Sequence, residues 1–79
     1  MDIKVLGTGC AKCKNLEKIV REVVSDMGIS ANVEKVTEIN KIMEYDILMT
    51  PGLVINGAVK VAGKVPGKDE LKKIIENEM

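Results

Sequence analysis

The sequence predicts a small α/β domain in which three helices flank a four-stranded mixed sheet. A short apolar run at residues 3–6 ends at glycine, apolar residues recur at helical spacing from Leu16 to Met27, and Asn56-Gly57 separates two further apolar runs. A strand, a helix and a second strand in succession form a parallel pair with a right-handed crossover. Asn-Gly between apolar runs is typical of an antiparallel hairpin. We therefore predict the order β-α-β-α-β-β-α, in a single domain over residues 1–79.

Composition excludes several classes of protein. The 79 residues include 12 Lys+Arg, 12 Asp+Glu and only two cysteines, which rules out a framework of several disulfides. A net charge of zero argues against general attraction to nucleic acid or anionic lipid. No apolar stretch approaches the roughly 20 residues needed to span a bilayer, and the N-terminus does not resemble a secretory signal. We expect a cytoplasmic protein that binds neither nucleic acid nor membrane.

The first half of the chain contains the clearest helical pattern. Apolar residues recur at helical spacing at Leu16, Ile19, Val20, Val23, Val24 and Met27. Gly28 follows, where a helix usually ends, so the first helix is predicted over residues 11–27. Ala31, Val33 and Lys35 alternate with polar residues and form only a weakly apolar strand. That weak apolarity predicts an edge position in the sheet.

A second, shorter helix is predicted before the hairpin. Thr37 can cap it, and Ile39, Ile42 and Met43 are predicted to form its inward face. We expect this helix to stop near Asp46, with Tyr45 as a partly buried cap.

The C-terminal part is predicted to contain the hairpin and a last helix. The hairpin strands are expected at residues 53–55 and 58–61, on either side of Asn56-Gly57. From Lys68, the inward face of the final helix is predicted to comprise Leu71, Ile74 and Ile75. Asp69 and Glu70 lie in its first turn, where the helix dipole favours acidic groups.

The chemistry of the chain is narrowed by the residue types that it lacks. It has no His, which excludes Ser-His-Asp and Cys-His nucleophiles. Tyr45 is the only aromatic residue, so a stacking platform for single-stranded nucleic acid is also excluded. The two cysteines remain as the candidate reactive groups.

Cys10-Ala11-Lys12-Cys13 forms a CxxC motif between the first strand and the first helix. The N–H groups and the dipole at a helix N-terminus stabilise a thiolate, and Lys12 and Lys14 add positive charge. Cys10 is predicted to be the exposed nucleophile, and Cys13, one turn into the helix, the resolving thiol. The expected chemistry is thiol–disulfide exchange, with Cys10 and Cys13 alternating between dithiol and disulfide.

Metal binding is the main alternative for this motif. One CxxC without His cannot supply the four ligands of a zinc site, but two thiolates can bind a soft ion such as Cu(I). A metal-delivery module of the copper-chaperone type is therefore a second hypothesis. Two features oppose it: Thr8 stands where that family commonly has Met, and the chain ends in a predicted helix.

The segments VLGTGCAKCKNLEK and MTPGLVINGAVKVAGKVP resemble the thioredoxin superfamily, and in particular the short, glutaredoxin-sized redox-active disulfide proteins of archaea and anaerobic bacteria. The resemblance covers nearly the whole chain and implies a thioredoxin-like three-layer sandwich. It also implies a cis peptide bond at Thr50-Pro51, against the CxxC. By the same resemblance, the Thr50 backbone pairs with an extended substrate peptide, and Pro51 keeps the sulfurs free of metal. Met49, directly before them, is expected to line the substrate groove.

The resemblance also implies partners. They are a disulfide-containing protein substrate and a reductase. We expect no cofactor and no bound metal, and we expect the protein to be a monomer. The chain departs from the WCGPC pattern of thioredoxin, since no Trp precedes Cys10 and no Pro separates the cysteines. The direction of electron flow therefore stays open. A third hypothesis is a non-catalytic adaptor that binds partners at Thr50-Pro51.

Overall fold

Strands and helices follow one another along the chain in the predicted order. The structure, a computed structural model, describes residues 1–9, 11–47 and 49–79. The elements are β1 (Asp2–Leu6), α1 (Ala11–Met27), β2 (Asn32–Val36), α2 (Ile39–Met43), β3 (Gly52–Ile55), β4 (Ala58–Ala62) and α3 (Lys68–Glu76). The predicted fold class of three helices and a four-stranded mixed sheet is confirmed, and the bounds of α1 are those expected. No helix in the described ranges is long and apolar enough to cross a membrane.

The sheet has the strand order β2-β1-β3-β4. β1 runs parallel to β2 and antiparallel to β3, while β3 and β4 form the antiparallel hairpin. β2 occupies an edge, as its weak apolarity predicted. At the end of β1, Leu6 pairs with Val36 on one side and with Gly52 on the other. The chain therefore leaves β1 between the end of β2 and the start of β3.

The larger part of the core lies on the face of the sheet covered by α1 and α3. Side chains alternate between the two faces along a strand, so Ile3 and Val5 of β1 point to this face. The buried residues of this cluster are Ile3, Val5, Leu16, Val20, Val23, Leu53, Ile55, Val61, Leu71 and Ile75. Burial of these side chains fixes α1 and α3 on the sheet, since each fully buried aliphatic side chain contributes about 1.5–3 kcal/mol.

The opposite face is covered by α2 and the residues after it. Its buried cluster comprises Leu6, Val36, Ile42 and Val54, with Tyr45 and Ile47 packed against it. Tyr45 is half-buried, as predicted, and its hydroxyl accepts a hydrogen bond from the Lys4 side chain, which raises the pKa of Lys4. With helices on both faces, the molecule has three layers.

The predictions for the second helix were partly wrong. Glu38, not Thr37, is the N-cap residue of α2, and no side-chain hydrogen bond caps the helix. Ile42 is 5% exposed, whereas Ile39 and Met43 are 62% and 63% exposed. α2 has only five residues, so it offers the sheet a single buried position, and the later residues Tyr45 and Ile47 complete the packing.

The end of α2 also differs from the prediction. The helix ends at Met43, and hydrogen bonds from Tyr45 N–H to Ile42 O (3.1 Å) and from Asp46 N–H to Met43 O (3.0 Å) continue it only as turns. Asp46 adopts a φ of 59°, which directs the chain out of the helical path.

The hairpin turn has the predicted geometry and is joined to β1. Asn56 and Gly57 adopt φ angles of 51° and 86°. The Asn56 side-chain Oδ1 accepts a hydrogen bond from the Asp2 N–H at 2.9 Å, and the Asn56 N–H donates to Asp2 O at 2.7 Å. Asn56 therefore provides a positive φ angle for the turn and the hydrogen bonds that attach the turn to β1.

Replacing Asn56 by alanine is expected to destabilise the fold by about 1–2 kcal/mol. The variant loses the side-chain hydrogen bond to Asp2, of about 1 kcal/mol, and places a non-glycine residue without a local hydrogen bond at positive φ. Urea unfolding followed by circular dichroism measures the loss. Asn56→Gly is the matched control, since it loses the hydrogen bond but tolerates the φ angle. Equal stability of Asn56→Ala and the parent would contradict this role.

Candidate functional site

The CxxC motif follows the C-terminal end of β1 through a short turn. Gly7 is buried, and its N–H donates to Val36 O at 2.9 Å, which extends the pairing of β1 with β2 by one residue. Gly9 adopts a φ of 93°, a conformation that glycine accepts without steric cost. α1 then begins at Ala11. Cys10, the predicted nucleophile, lies outside the described residues.

Cys13 lies on the first turn of α1 and is 4% exposed. Its side chain packs against Gly7. A Cβ at Gly7 would come within 2.7 Å of Cys13 Cβ and closer still to Cys13 Sγ. Only glycine therefore leaves room for the Cys13 side chain at the end of β1.

Thr50-Pro51 lies at the same end of the sheet. Because Leu6 pairs with Gly52 in an antiparallel ladder, the residues before Gly52 lie alongside those after Leu6. The Thr50-Pro51 peptide bond is cis, as the resemblance implied, and Pro51 is buried while Thr50 is exposed. Pro51 O accepts a hydrogen bond from Gly63 N–H at 2.8 Å, which joins this segment to the end of β4.

Met49 is 64% exposed and lies beside Gly63. A Cβ at Gly63 would lie 3.0 Å from Met49 Cβ and 3.3 Å from its Sδ. The structure thus places an apolar, exposed side chain directly before Thr50-Pro51. Its predicted role in a substrate groove stays a prediction.

The first turn of α1 is positively charged. It contains no acidic residue, and Lys12 and Lys14 are both exposed. Neither lysine forms an ion pair with another of the described residues. Cations are normally unfavourable at the positive end of a helix dipole, whereas an anion is stabilised there. The positive charge at this turn therefore stabilises an anion such as a thiolate.

Two glycines of the site have contacts that the sequence did not indicate. The sequence places Gly7 and Gly63 after strands, but it does not specify that Gly7 faces Cys13 or that the Gly63 N–H donates to Pro51 O. The one available indication is the position of each glycine immediately after a strand.

Metal ligands are not grouped in the part of the chain that the structure describes. No three His, Cys, Asp or Glu side chains there lie close enough together to hold an ion. A soft-metal site of two thiolates would use both cysteines, and Cys10 lies outside the described residues.

The three-layer fold, with a CxxC at the start of the first helix and a cis proline before the third strand, is that of a thioredoxin-like protein. The chain belongs to the thioredoxin domain family, whose profile matches residues 1–76. It is 45% identical over 75 residues to a thioredoxin of Methanothermobacter thermautotrophicus, covering 95% of this chain and 97% of the relative. A thioredoxin of Methanocaldococcus jannaschii is 35% identical over 75 residues, covering 95% and 86% of the two chains.

A solved structure shows the same fold. The solution structure of reduced MJ0307 superposes with a TM-score of 0.59 at 30% identity, covering 99% of this chain and 95% of the other. The predicted membership of the thioredoxin superfamily is confirmed. The relatives named thioredoxin place the chain in a family of thiol–disulfide oxidoreductases.

Proposed function

We propose that this chain is a small thioredoxin- or glutaredoxin-like oxidoreductase, a single domain over residues 1–79 that exchanges a Cys10–Cys13 dithiol with protein disulfides. The observation that carries the proposal is the position of the CxxC at the start of α1, with Cys13 buried on the first helical turn. The membership of the chain in the thioredoxin domain family supports the same chemistry.

The burial of Cys13 supports the division of roles between the two sulfurs. A protein disulfide cannot approach a side chain that is 4% exposed, so the first attack falls to Cys10. The Cys10 thiolate attacks one substrate sulfur, forms a mixed disulfide and releases the other substrate sulfur as a thiolate. The Cys13 thiol loses its proton, and the resulting thiolate attacks Cys10 Sγ and releases the second substrate sulfur as a thiolate. Two electrons pass to the substrate, and a reductase restores the dithiol.

Thr50, Pro51 and Met49 are proposed to bind the substrate. Thr50 is exposed beside the buried Pro51, where an extended peptide can reach it. Met49 adds an exposed apolar side chain next to this position. Main-chain pairing at Thr50 would provide affinity without sequence preference, which suits a protein that acts on many disulfides.

A redox titration combined with an insulin-reduction assay tests the proposed function. The Cys10–Cys13 couple should titrate as a two-electron couple against a dithiothreitol buffer, followed by the mass of the alkylated protein. The dithiol form should reduce insulin, and Cys10→Ser should not. Insulin reduction by Cys10→Ser at the parent rate would disprove the mechanism. Stoichiometric, tight Cu(I) binding without disulfide turnover would favour the soft-metal alternative.

The charge at position 12 is expected to tune the thiolate. Lys12 is exposed on the first turn of α1, two residues after Cys10. Replacing Lys12 by glutamate changes the charge beside Cys10 by two units, disfavours the thiolate and raises the pKa of Cys10. Thiolate absorbance in the ultraviolet, followed against pH, measures the shift. Lys72→Glu, on the exposed surface of α3, is the charge-matched control, and an unchanged curve for Lys12→Glu would show that Lys12 has no part in tuning.

A further inference from the structure

We propose that Gly7 is a positioning residue for Cys13, and that its missing side chain sets the rate at which Cys13 resolves the mixed disulfide. The inference rests on the proposed function. Gly7 ends the β1 ladder, and Cys13 lies directly against it on the first turn of α1. The two residues bring the end of the strand against the start of the helix.

Glycine is needed at position 7 for space and not for backbone conformation. Gly9 and Gly63 have positive φ angles, but Gly7 does not. Alanine can therefore adopt the Gly7 backbone without strain. The effect of Gly7→Ala is confined to the collision of the new methyl group with the Cys13 side chain.

Rotation of the Cys13 side chain cannot remove that collision. Rotation about χ1 moves Sγ but leaves Cβ in place, and the new methyl group would lie 2.7 Å from Cys13 Cβ. The strand is held by the hydrogen bond from Gly7 N–H to Val36 O at 2.9 Å. One turn later, the fully buried Leu16 fixes α1 in the core. The first turn of α1, with Cys13, must therefore move away from β1.

Such a shift affects the resolving step more than the first attack. Formation of a disulfide requires the two sulfurs to meet within a narrow range of distance and dihedral angle. Cys13 must reach Cys10 Sγ in that geometry while the substrate is still attached. The first attack depends on Cys10 and the incoming disulfide, and so does not require Cys13 to be in place.

Stopped-flow measurement of the two steps tests this role. Release of substrate from the mixed disulfide should slow by about tenfold in Gly7→Ala. This lies within the rate loss of up to about a hundredfold that a misplacement of about 1 Å can cause in a positioned reaction. The first attack, measured in a Cys13→Ser background, should change by less than about twofold, because it depends on Cys10 and the incoming disulfide. Gly67→Ala is the control, because a Cβ there meets nothing within 4 Å. Equal slowing of both steps would reduce Gly7 to a general structural role, and unchanged release would overturn the proposal.

A second measurement tests the contact without any activity. Gly7→Ala should lower the melting temperature when Cys13 is present. In a Cys13→Gly background, which removes both Cβ and Sγ, the same substitution should have no effect, even if Gly7→Ala alone fails to fold. Equal destabilisation in both backgrounds would show that Gly7 and Cys13 are not coupled. A further outcome is that the parent protein forms no mixed disulfide even though Gly7→Ala lowers the melting temperature only when Cys13 is present. That result would disprove the proposed function but would support the contact between Gly7 and Cys13.

Discussion

Cys13→Ser is expected to accumulate as a covalent complex with its protein substrate. In this variant Cys10 still attacks the disulfide, but the serine hydroxyl cannot displace the mixed disulfide. Turnover should fall by at least about a hundredfold, because an oriented intramolecular thiol reacts at an effective concentration that dissolved thiols do not reach. The burial of Cys13 against Gly7 gives the reason for expecting a clean trap, since serine is smaller than cysteine and fits the same space.

Mass spectrometry under non-reducing conditions identifies the trapped species and the cysteine that forms it. The expected product is a 1:1 complex bonded through Cys10, which dithiothreitol releases. Cys10→Ser, the matched control, should form no such complex, because its remaining cysteine, Cys13, is only 4% exposed. If Cys10→Ser formed the complex as readily as Cys13→Ser, the assignment of Cys10 as the sole nucleophile would be wrong.

The elements that were predicted correctly are those whose sequence pattern lies within the element itself. α1 repeats its apolar spacing from Leu16 to Met27, and Asn56-Gly57 specifies the hairpin through φ angles that few other residues adopt. The edge position of β2 followed from its own composition. In each case the information lies within the element itself, so it does not depend on the rest of the fold.

The candidate site was predicted in its residue types but not in its contacts. The CxxC is recognisable because chemistry requires two cysteines at that spacing, and Thr50-Pro51 by resemblance. The contact of Gly7 with Cys13 and the hydrogen bond from Gly63 to Pro51 join segments that are apart in sequence. A glycine that leaves space for another side chain has no local pattern, because the requirement comes from its neighbour in the fold.

α2 shows why a short helix is harder to predict, and its two isoleucines provide a direct test. Ile42→Ala is expected to destabilise the protein by about 2–4 kcal/mol, because it deletes a buried side chain from the smaller of the two clusters. Ile39→Ala, on the same helix, should change stability by no more than about 0.5 kcal/mol, since Ile39 is 62% exposed. The two variants remove the same atoms and differ only in burial.

Thermal unfolding distinguishes the two variants without further assumptions. In a domain of this size a loss of 1 kcal/mol lowers the melting temperature by about 4–8 °C, so Ile42→Ala should melt at least about 8 °C below the parent. Ile39→Ala should melt at the parent temperature or slightly above, because alanine has the higher helix propensity. Equal losses would mean that both residues face the sheet, as the spacing of the sequence suggested. A loss confined to Ile42→Ala is expected because a five-residue helix can bury only one side of a single turn, and here that side carries Ile42.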